Sequence, residues 1–277
     1  MPFVSNYTGN TVTYLDRLEH KTIYLLREAY SRYRNIVLLW SMGKDSTTLL
    51  WIARKAFFGK IPFPIVHIDT HFKFKEIYEF RDAYTQQWNL QLFICKNENA
   101  MQRDMSPAKG KFQCCTSLKT DALKLFLKNH DFKALLLAIR RDEHGIRAKE
   151  RYFSPRDQDF GWDYRNQPAE LWNLYTKYIE GGEHLRIHPM LHWSEIDIWK
   201  YIQREKIPVI RLYFAKQGTR YRSIGCAPCC APIPSTATTI KGIIRELENT
   251  QISERSGRAQ DKEDTYTMQK LRSLGYM

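Results

Sequence analysis

Short runs of consecutive apolar residues alternate along this chain with stretches in which apolar positions recur every three or four residues. Leu15, Leu18, Ile23, Leu26 and Tyr30 fall at helical spacing and predict an opening helix over 15–33. Ile36-Val37-Leu38-Leu39-Trp40 is then apolar throughout, the mark of a strand covered on both faces of a parallel sheet. The same reasoning predicts helices over 47–57, 75–88, 118–129, 194–205 and 238–248, and strands over 64–68, 90–95, 134–139 and 187–190. Alternating strands and helices argue an α/β fold with a doubly wound, mostly parallel sheet. A polar, arginine-rich stretch over 140–165 interrupts the alternation, and from Pro208 the chain turns loop-like. We therefore expect an α/β domain over 1–210, with a cysteine-bearing loop and a helical tail over 211–277.

Composition narrows the picture a little. No apolar run approaches the roughly 20 residues that span a bilayer, and the first twenty residues lack a signal-peptide centre, so a cytoplasmic, membrane-free protein is expected. The net charge of +13 favours polyanionic partners, meaning nucleotides, a nucleic acid or an acidic protein. A solvated basic surface would give the same number. Six cysteines in such a compartment point to metal ligation or reduced thiols before disulfides. Cys95, in the run Leu92-Phe93-Ile94-Cys95, reads as a buried strand residue.

The chemistry begins where the first strand ends. Ser41-Met42-Gly43-Lys44-Asp45-Ser46 joins a buried strand to a helix, the arrangement of a phosphate cradle. Gly43 would allow a tight turn, the amides of the following helix would face an anion, Lys44 adds a charge, and Ser41, Ser46 and Thr47 offer hydroxyls. The Walker loop is absent, because Leu38 stands where its first glycine would. Asp69 closes the next strand, at the edge where ligands of open α/β sheets sit. The loop is expected at the surface end of its strand. Arg140, Arg141, Arg147, Lys149 and Arg151 could neutralise a phosphate and an attacking oxyanion together, or form a solvated basic loop.

The short phosphate loop resembles the PP-loop of ATP pyrophosphatases, an adenine nucleotide alpha hydrolase-like fold in which the loop holds the leaving pyrophosphate. Much of the chain is also similar to the small subunit of bacterial sulfate adenylyltransferase. The resemblance rests on Ser41–Ser46, Ala53–Phe57, Pro62–Pro64, His67–Thr70, Lys73–Asp82, Arg140–Glu143, Arg147–Arg151, Trp193–Trp199 and Ser253–Arg258. It implies ATP with Mg²⁺ as the nucleotide, held by Ser41, Gly43, Lys44, Asp45, Ser46, Thr47 and Asp69. Lys44, Asp45, Arg140 and Arg141 become the catalytic set, and Asp45 a neighbour for the cation. A GTPase sulfurylase subunit would be the partner.

The cysteines depart from that family. Cys114-Cys115, followed far downstream by Ser223-Ile224-Gly225-Cys226-Ala227-Pro228-Cys229, resembles adenylylsulfate reductase, which implies a [4Fe–4S] cluster on Cys114, Cys115, Cys226 and Cys229, with zinc as the alternative metal. Cys230 is left as a spare thiol and possible sulfur carrier. The reductase's cysteine-bearing tail is missing, since nothing after Cys230 is a cysteine. The combination resembles the ATP-pyrophosphatase component of DNA phosphorothioation systems. That resemblance implies adenylylation followed by cluster-assisted sulfur transfer, with DNA and a cysteine desulfurase as partners. For a nucleic-acid acceptor, the basic run makes Arg147, Lys149, Arg151 and Arg156 the candidate phosphate contacts. Sulfate adenylyltransferase is the first alternative, with adenylylsulfate or 3′-phosphoadenylylsulfate (PAPS) reductase the second. Beyond these enzymes, an idle nucleotide-sensing partner is a further class, and self-association is left open.

Overall fold

The computed structural model describes residues 12–162, 164–165, 167, 169–173, 175, 184–258, 270–271 and 274. The opening helix α1 (Tyr14–Arg32) starts at a capping box in which Thr13 and Asp16 satisfy each other's backbone amides. Then follow β1 (Ile36–Leu39), α2 (Lys44–Ala56), β2 (Ile65–Ile68), α3 (Lys75–Gln87), β3 (Leu92–Cys95) and the short α4 (Glu98–Gln102). Next come α5 (Lys111–Cys115), α6 (Ala122–His130), β4 (Ala134–Leu136), β5 (Phe153–Arg156), β6 (His184–Ile187) and α7 (Glu195–Glu205). A two-stranded ribbon, β7 (Thr219–Arg220) with β8 (Ile233–Pro234), and α8 (Ile240–Asn249) follow.

The six main strands run in the order β3-β2-β1-β4-β6-β5. All neighbours are parallel except β5, which pairs antiparallel with β6 along the edge. Strand order reverses between β1 and β4, and such a switch point opens a crevice at the carboxyl ends of the strands. Leu38 and Trp40 face one layer, with Leu25, Leu49, Ile198 and Ile243 from α1, α2, α7 and α8. Val37 and Leu39 face the other, with Leu123, Phe126 and Leu127 of α6. Tyr213, Ala237, Ile243 and Ile244, all beyond residue 210, belong to the first of these layers.

Two differences from the apolar pattern have physical reasons. The strand expected over 187–190 lies at His184–Ile187, where His184 and Arg186 are fully buried although polar. Its neighbour β5 sits inside the arginine-rich stretch and carries Pro155, which an edge strand tolerates because it need not donate there. The helix expected over 118–129 instead starts at Lys111 and passes through a wide π turn, Thr116–Asp121, before α6. Insertions of this kind gather at functional sites, and this one follows directly on Cys114-Cys115.

Candidate active site

The turn from β1 into α2 is held by its own hydroxyls. Ser41 and Ser46 are 3.0 Å apart through their Oγ atoms, the Ser41 amide donates to Ser46 Oγ (3.2 Å), and Ser46 Oγ donates to the Gly43 carbonyl (3.1 Å). The left-handed residue is Met42, with φ 61°, at a cost of roughly 1–2 kcal/mol for a side-chain-bearing residue. Gly43 has an ordinary φ of −69°, so the turn does not need a glycine for its backbone angles. A Cβ there would sit 3.4 Å from Ser41 Oγ and 3.6 Å from Tyr213 Oη, and its absence keeps the floor of the cradle open. Gly43 offers no side chain to cap α2, and the Lys44 amide donates instead to Tyr213 Oη (2.9 Å).

Lys44 is buried, although Ser41 of the same loop is exposed, and ion-pairs with Asp45 and Glu254. Arg140, fully buried in the segment that follows β4, pairs with Asp45, Glu254 and Asp142. Burial disfavours the Lys44 charge, but Asp45 and Glu254 outweigh it and hold the ammonium above the usual lysine range. Burial likewise opposes ionisation of Glu254, and Arg140 with Lys44 overcome it, keeping that carboxyl well below the usual range. Glu195, nearby and bound through both oxygens by Arg222 Nε (3.2 and 3.1 Å), is pushed up by burial and by Glu254.

Of these groups Lys44, Asp45 and Glu254 line a cavity of about 150 Å³ at the carboxyl ends of β1, β2 and β4, where Trp40, His67, Ile68 and Leu137–Ile139 form its apolar side. Arg140 is not part of its lining and reaches it through its pairs with Asp45 and Glu254. His67 Nδ1 lies 3.1 Å from the Trp40 carbonyl, which can only accept, so Nδ1 carries the proton. Burial and the nearby Lys73 depress its pKa to about 3, and the ring is neutral. Its Nε2 has no hydrogen-bond partner among the described residues. Lys73, Lys119 and Arg258 line the side of the cavity nearest the cysteines.

There the two cysteine groups meet. The Cys114 thiol is pushed up to about 12 by burial and by Cys115 and Cys226, and Cys229 is raised by burial, Cys226 and Cys115. Burial also raises Cys226, but Lys119, Lys73, the Thr70 hydroxyl at 3.2 Å and Arg258 bring it down to about 7. Cys230 Sγ accepts from the Gly225 amide (3.1 Å) and from Arg258 Nη1 (2.6 Å). Among the described residues, no three His, Cys, Asp or Glu donors converge as ligands of one ion.

Not every residue picked out by sequence enters the cavity. Arg141 lies over the Tyr152 ring, 5.0 Å from its centroid. Thr47 Oγ1 accepts from Trp40 Nε1 (3.1 Å), and Asp69 accepts from the His71 amide (2.9 Å) and the Tyr78 hydroxyl (2.8 Å). Arg147 is buried against Glu143 and lines the cavity. Arg156 is buried with Glu150 (2.9 Å) and Ser154 (2.6 Å), away from any surface ligand. Lys149 is exposed and Arg151 half-buried. Tyr213, Glu254 and His67 escaped the sequence reading as site residues. Glu254 and His67 lie inside segments that carried the family resemblance, which was their available signal, whereas nothing local marks Tyr213.

Residues 35–232 match the family described as phosphoadenosine phosphosulfate reductase domain. Sulfate adenylyltransferase subunit 2 of Psychromonas ingrahamii is 39% identical, covering 96% of this chain and 99% of its own. The subunit of the same name from Myxococcus xanthus is 38% identical over 99% and 100% of the two chains. Among solved structures, Candida glabrata FMN adenylyltransferase in complex with ATP superposes with a TM-score of 0.54 at 19% identity, covering 79% of this chain and 63% of that one. PAPS reductase from Candida auris gives the same TM-score at 15% identity over 79% and 96%. At such identities the structures speak for the fold, and the sequence relatives decide kinship: the chain belongs to the phosphoadenosine phosphosulfate reductase domain family, among the adenylyltransferase-type ATP pyrophosphatases related to sulfate adenylyltransferase subunit 2.

Proposed function

We propose that the chain transfers the adenylyl group of ATP to sulfate, forming adenylylsulfate and pyrophosphate. The observation that carries this reading is a single cavity with cations at both ends. Lys44 lines it at the phosphate loop, where Arg140 pairs with the lining Asp45, and Lys73, Lys119 and Arg258 line the far side. Burial depresses the Lys73 pKa, and against the opposing charge of Cys226 the neighbouring Lys119 and Arg258 lower it further, so a small dianion between them would relieve mutual repulsion. The curated relatives, matched over nearly their whole length, carry the name of the sulfate enzyme. Being a subunit by that name, they support a larger partner chain, the GTPase subunit that the resemblance implies.

In this reading a sulfate oxygen attacks the α-phosphorus. The bond from that phosphorus to the bridging oxygen breaks, and pyrophosphate leaves with the electron pair. Sulfate is already deprotonated, so the step needs no general base, and positioning with charge stabilisation is enough. Lys44, Arg140 and the α2 amides would meet the leaving pyrophosphate, where removal of one such donor typically costs 10²–10³-fold in rate. Asp45 is a carboxylate suited to the Mg²⁺ that accompanies ATP, and the ion would add charge neutralisation on the phosphates.

The cysteines favour a second reading, cluster-assisted sulfur transfer to DNA with a desulfurase as donor. Four thiols that perturb one another fit a group larger than one ion. Zinc on the same sulfurs, each about 2.3 Å from the ion, is the alternative metal. Lys73 and Lys119 suit the negative charge of a thiolate-bound [4Fe–4S] cluster, which supplies electron-transfer or sulfur chemistry when bound. Against DNA as acceptor, Arg147 and Arg156 are spent on internal carboxylates. The test offers sulfate, duplex DNA and transfer RNA separately and measures pyrophosphate release, with the partner subunit added. Sulfate-dependent release is expected. Release that depends on DNA and ignores sulfate would reverse the order of the two readings.

A further inference from the structure

The phosphate end of the cavity already contains an anion, and it belongs to the chain. Glu254 lies on a short turn, Glu254–Gly257, reached from the end of α8. Its carboxylate is buried and bridges Lys44 and Arg140, the two cations that the pyrophosphate reading needs. The charge balance is unfavourable to a polyanion in this state. Asp45, Asp142 and Glu254 set three carboxylates around Lys44 and Arg140. The space is also too small. The cavity holds about 150 Å³, whereas pockets for drug-sized ligands run from roughly 300 to 1,000 Å³.

The rest of the segment is fastened on both sides of Glu254. Arg222 Nη1 donates to the Ile252 carbonyl (2.6 Å), Arg255 Nη1 pairs with Glu143 (3.3 Å), and Arg258 Nη1 donates to Cys230 Sγ (2.6 Å). Arg255, Arg258 and Glu254 all line the cavity. One segment therefore spans from the phosphate loop to the cysteine loop and forms part of the cavity wall.

We infer that residues 253–258 form a strap whose Glu254 carboxylate stands in for the leaving pyrophosphate, and that ATP binds only by displacing it. This rests on the phosphate-loop reading and adds regulation to it. In the closed state Glu254 neutralises two buried cations and keeps their side chains in place. When the triphosphate arrives, the same two cations exchange one anion for another, and the strap's departure supplies the missing volume. After reaction Glu254 competes with bound pyrophosphate and promotes its release.

An internal competitor raises the apparent dissociation constant by the inverse of the open fraction, so a strap open about one-tenth of the time weakens anion binding about tenfold. Glu254→Gln keeps the shape and removes the charge. Titration calorimetry at fixed Mg²⁺ should find pyrophosphate bound about tenfold more tightly by the variant than by the parent. The KM for ATP should fall correspondingly, with kcat lowered because product leaves more slowly. Equal or weaker pyrophosphate binding by a folded variant overturns the strap, and weaker binding restored by excess Mg²⁺ would make Glu254 a metal ligand instead. Hydrogen exchange on the unaltered protein gives a test independent of the variant's folding. Pyrophosphate should speed exchange of the amides over 252–258, and protection or no change there overturns the proposal. If neither protein binds pyrophosphate, the phosphate-loop reading fails along with the strap. If both bind it equally, the loop reading stands and the strap alone fails.

Discussion

Replacing Arg140 by alanine removes the guanidinium that joins the phosphate loop, the segment that follows β4 and the 253–258 segment. Its three carboxylate partners do not count equally. Asp142 is 39% exposed and Asp45 18% exposed at the side chain, so water screens much of what they would lose. Glu254, 5% exposed, would be left with Lys44 as its remaining cation of the pair. Breaking a buried ion pair by deleting one partner costs about 3–5 kcal/mol. For a chain of this size each kcal/mol lowers Tm by about 2 °C, which puts the expected drop at roughly 6–10 °C.

The pH dependence carries a sign. In the parent protein the Glu254 pKa is depressed, so its contribution is present above the unfolded carboxyl value and lost as pH falls through the folded one. In Arg140→Ala burial meets less opposition and the folded pKa rises. The gap in Tm between parent and variant should therefore be full at about pH 7.5 and narrow towards about pH 4.5, as the buried carboxyl takes up a proton. Melting followed by circular dichroism at both pH values reads this directly, and pyrophosphate release reports the site. A variant that melts within a degree of the parent at neutral pH and turns over normally would refute both the buried-pair reasoning and the role of Arg140 at the loop.

Three further outcomes are expected. Tyr213→Phe should lower Tm by roughly 2–6 °C in scanning calorimetry, because the Lys44 amide loses its acceptor at 2.9 Å and an unpaired buried donor costs about 1–3 kcal/mol. Arg156→Ala should lower stability through the loss of its 2.9 Å pair with Glu150 while leaving the salt dependence of any DNA binding unchanged, as an electrophoretic mobility series at two ionic strengths would show. On the cluster reading, protein purified without oxygen should absorb broadly near roughly 400 nm. Cys114→Ser or Cys229→Ser should bleach that band where Cys95→Ser does not, and colourless parent protein carrying one zinc per chain would exclude the cluster.

The parallel sheet was legible because its central strands are apolar at nearly every position, as Ile36–Leu39 and Ile65–Ile68 show. A strand buried on both faces has no other way to satisfy its surroundings. The edge was hidden for the converse reason. In β5 and β6 the buried positions include Ser154, Arg156, His184 and Arg186, and β5 places Ser154 and Arg156 in an ion-pair network with Glu150 that hydropathy cannot register. A window averaged over those residues reads as loop.

The site divides along the same line. Ser41, Lys44 and Ser46 fall within six consecutive residues, and a strand–loop–helix junction of that composition announces an anion from sequence alone. Tyr213 and Glu254 reach the same loop from far downstream, and their positions depend on how the ribbon and α8 pack back on the first layer of the core. Such contacts have no local signature. Charge shows the difference most clearly. Counted along the chain, the excess is thirteen positive, yet around Arg140 and Lys44 the carboxylates outnumber the cations. A net charge predicts the far field that brings an anion near, whereas admission to the phosphate loop depends on the local balance there and on the one carboxylate, Glu254, carried on a segment able to move away.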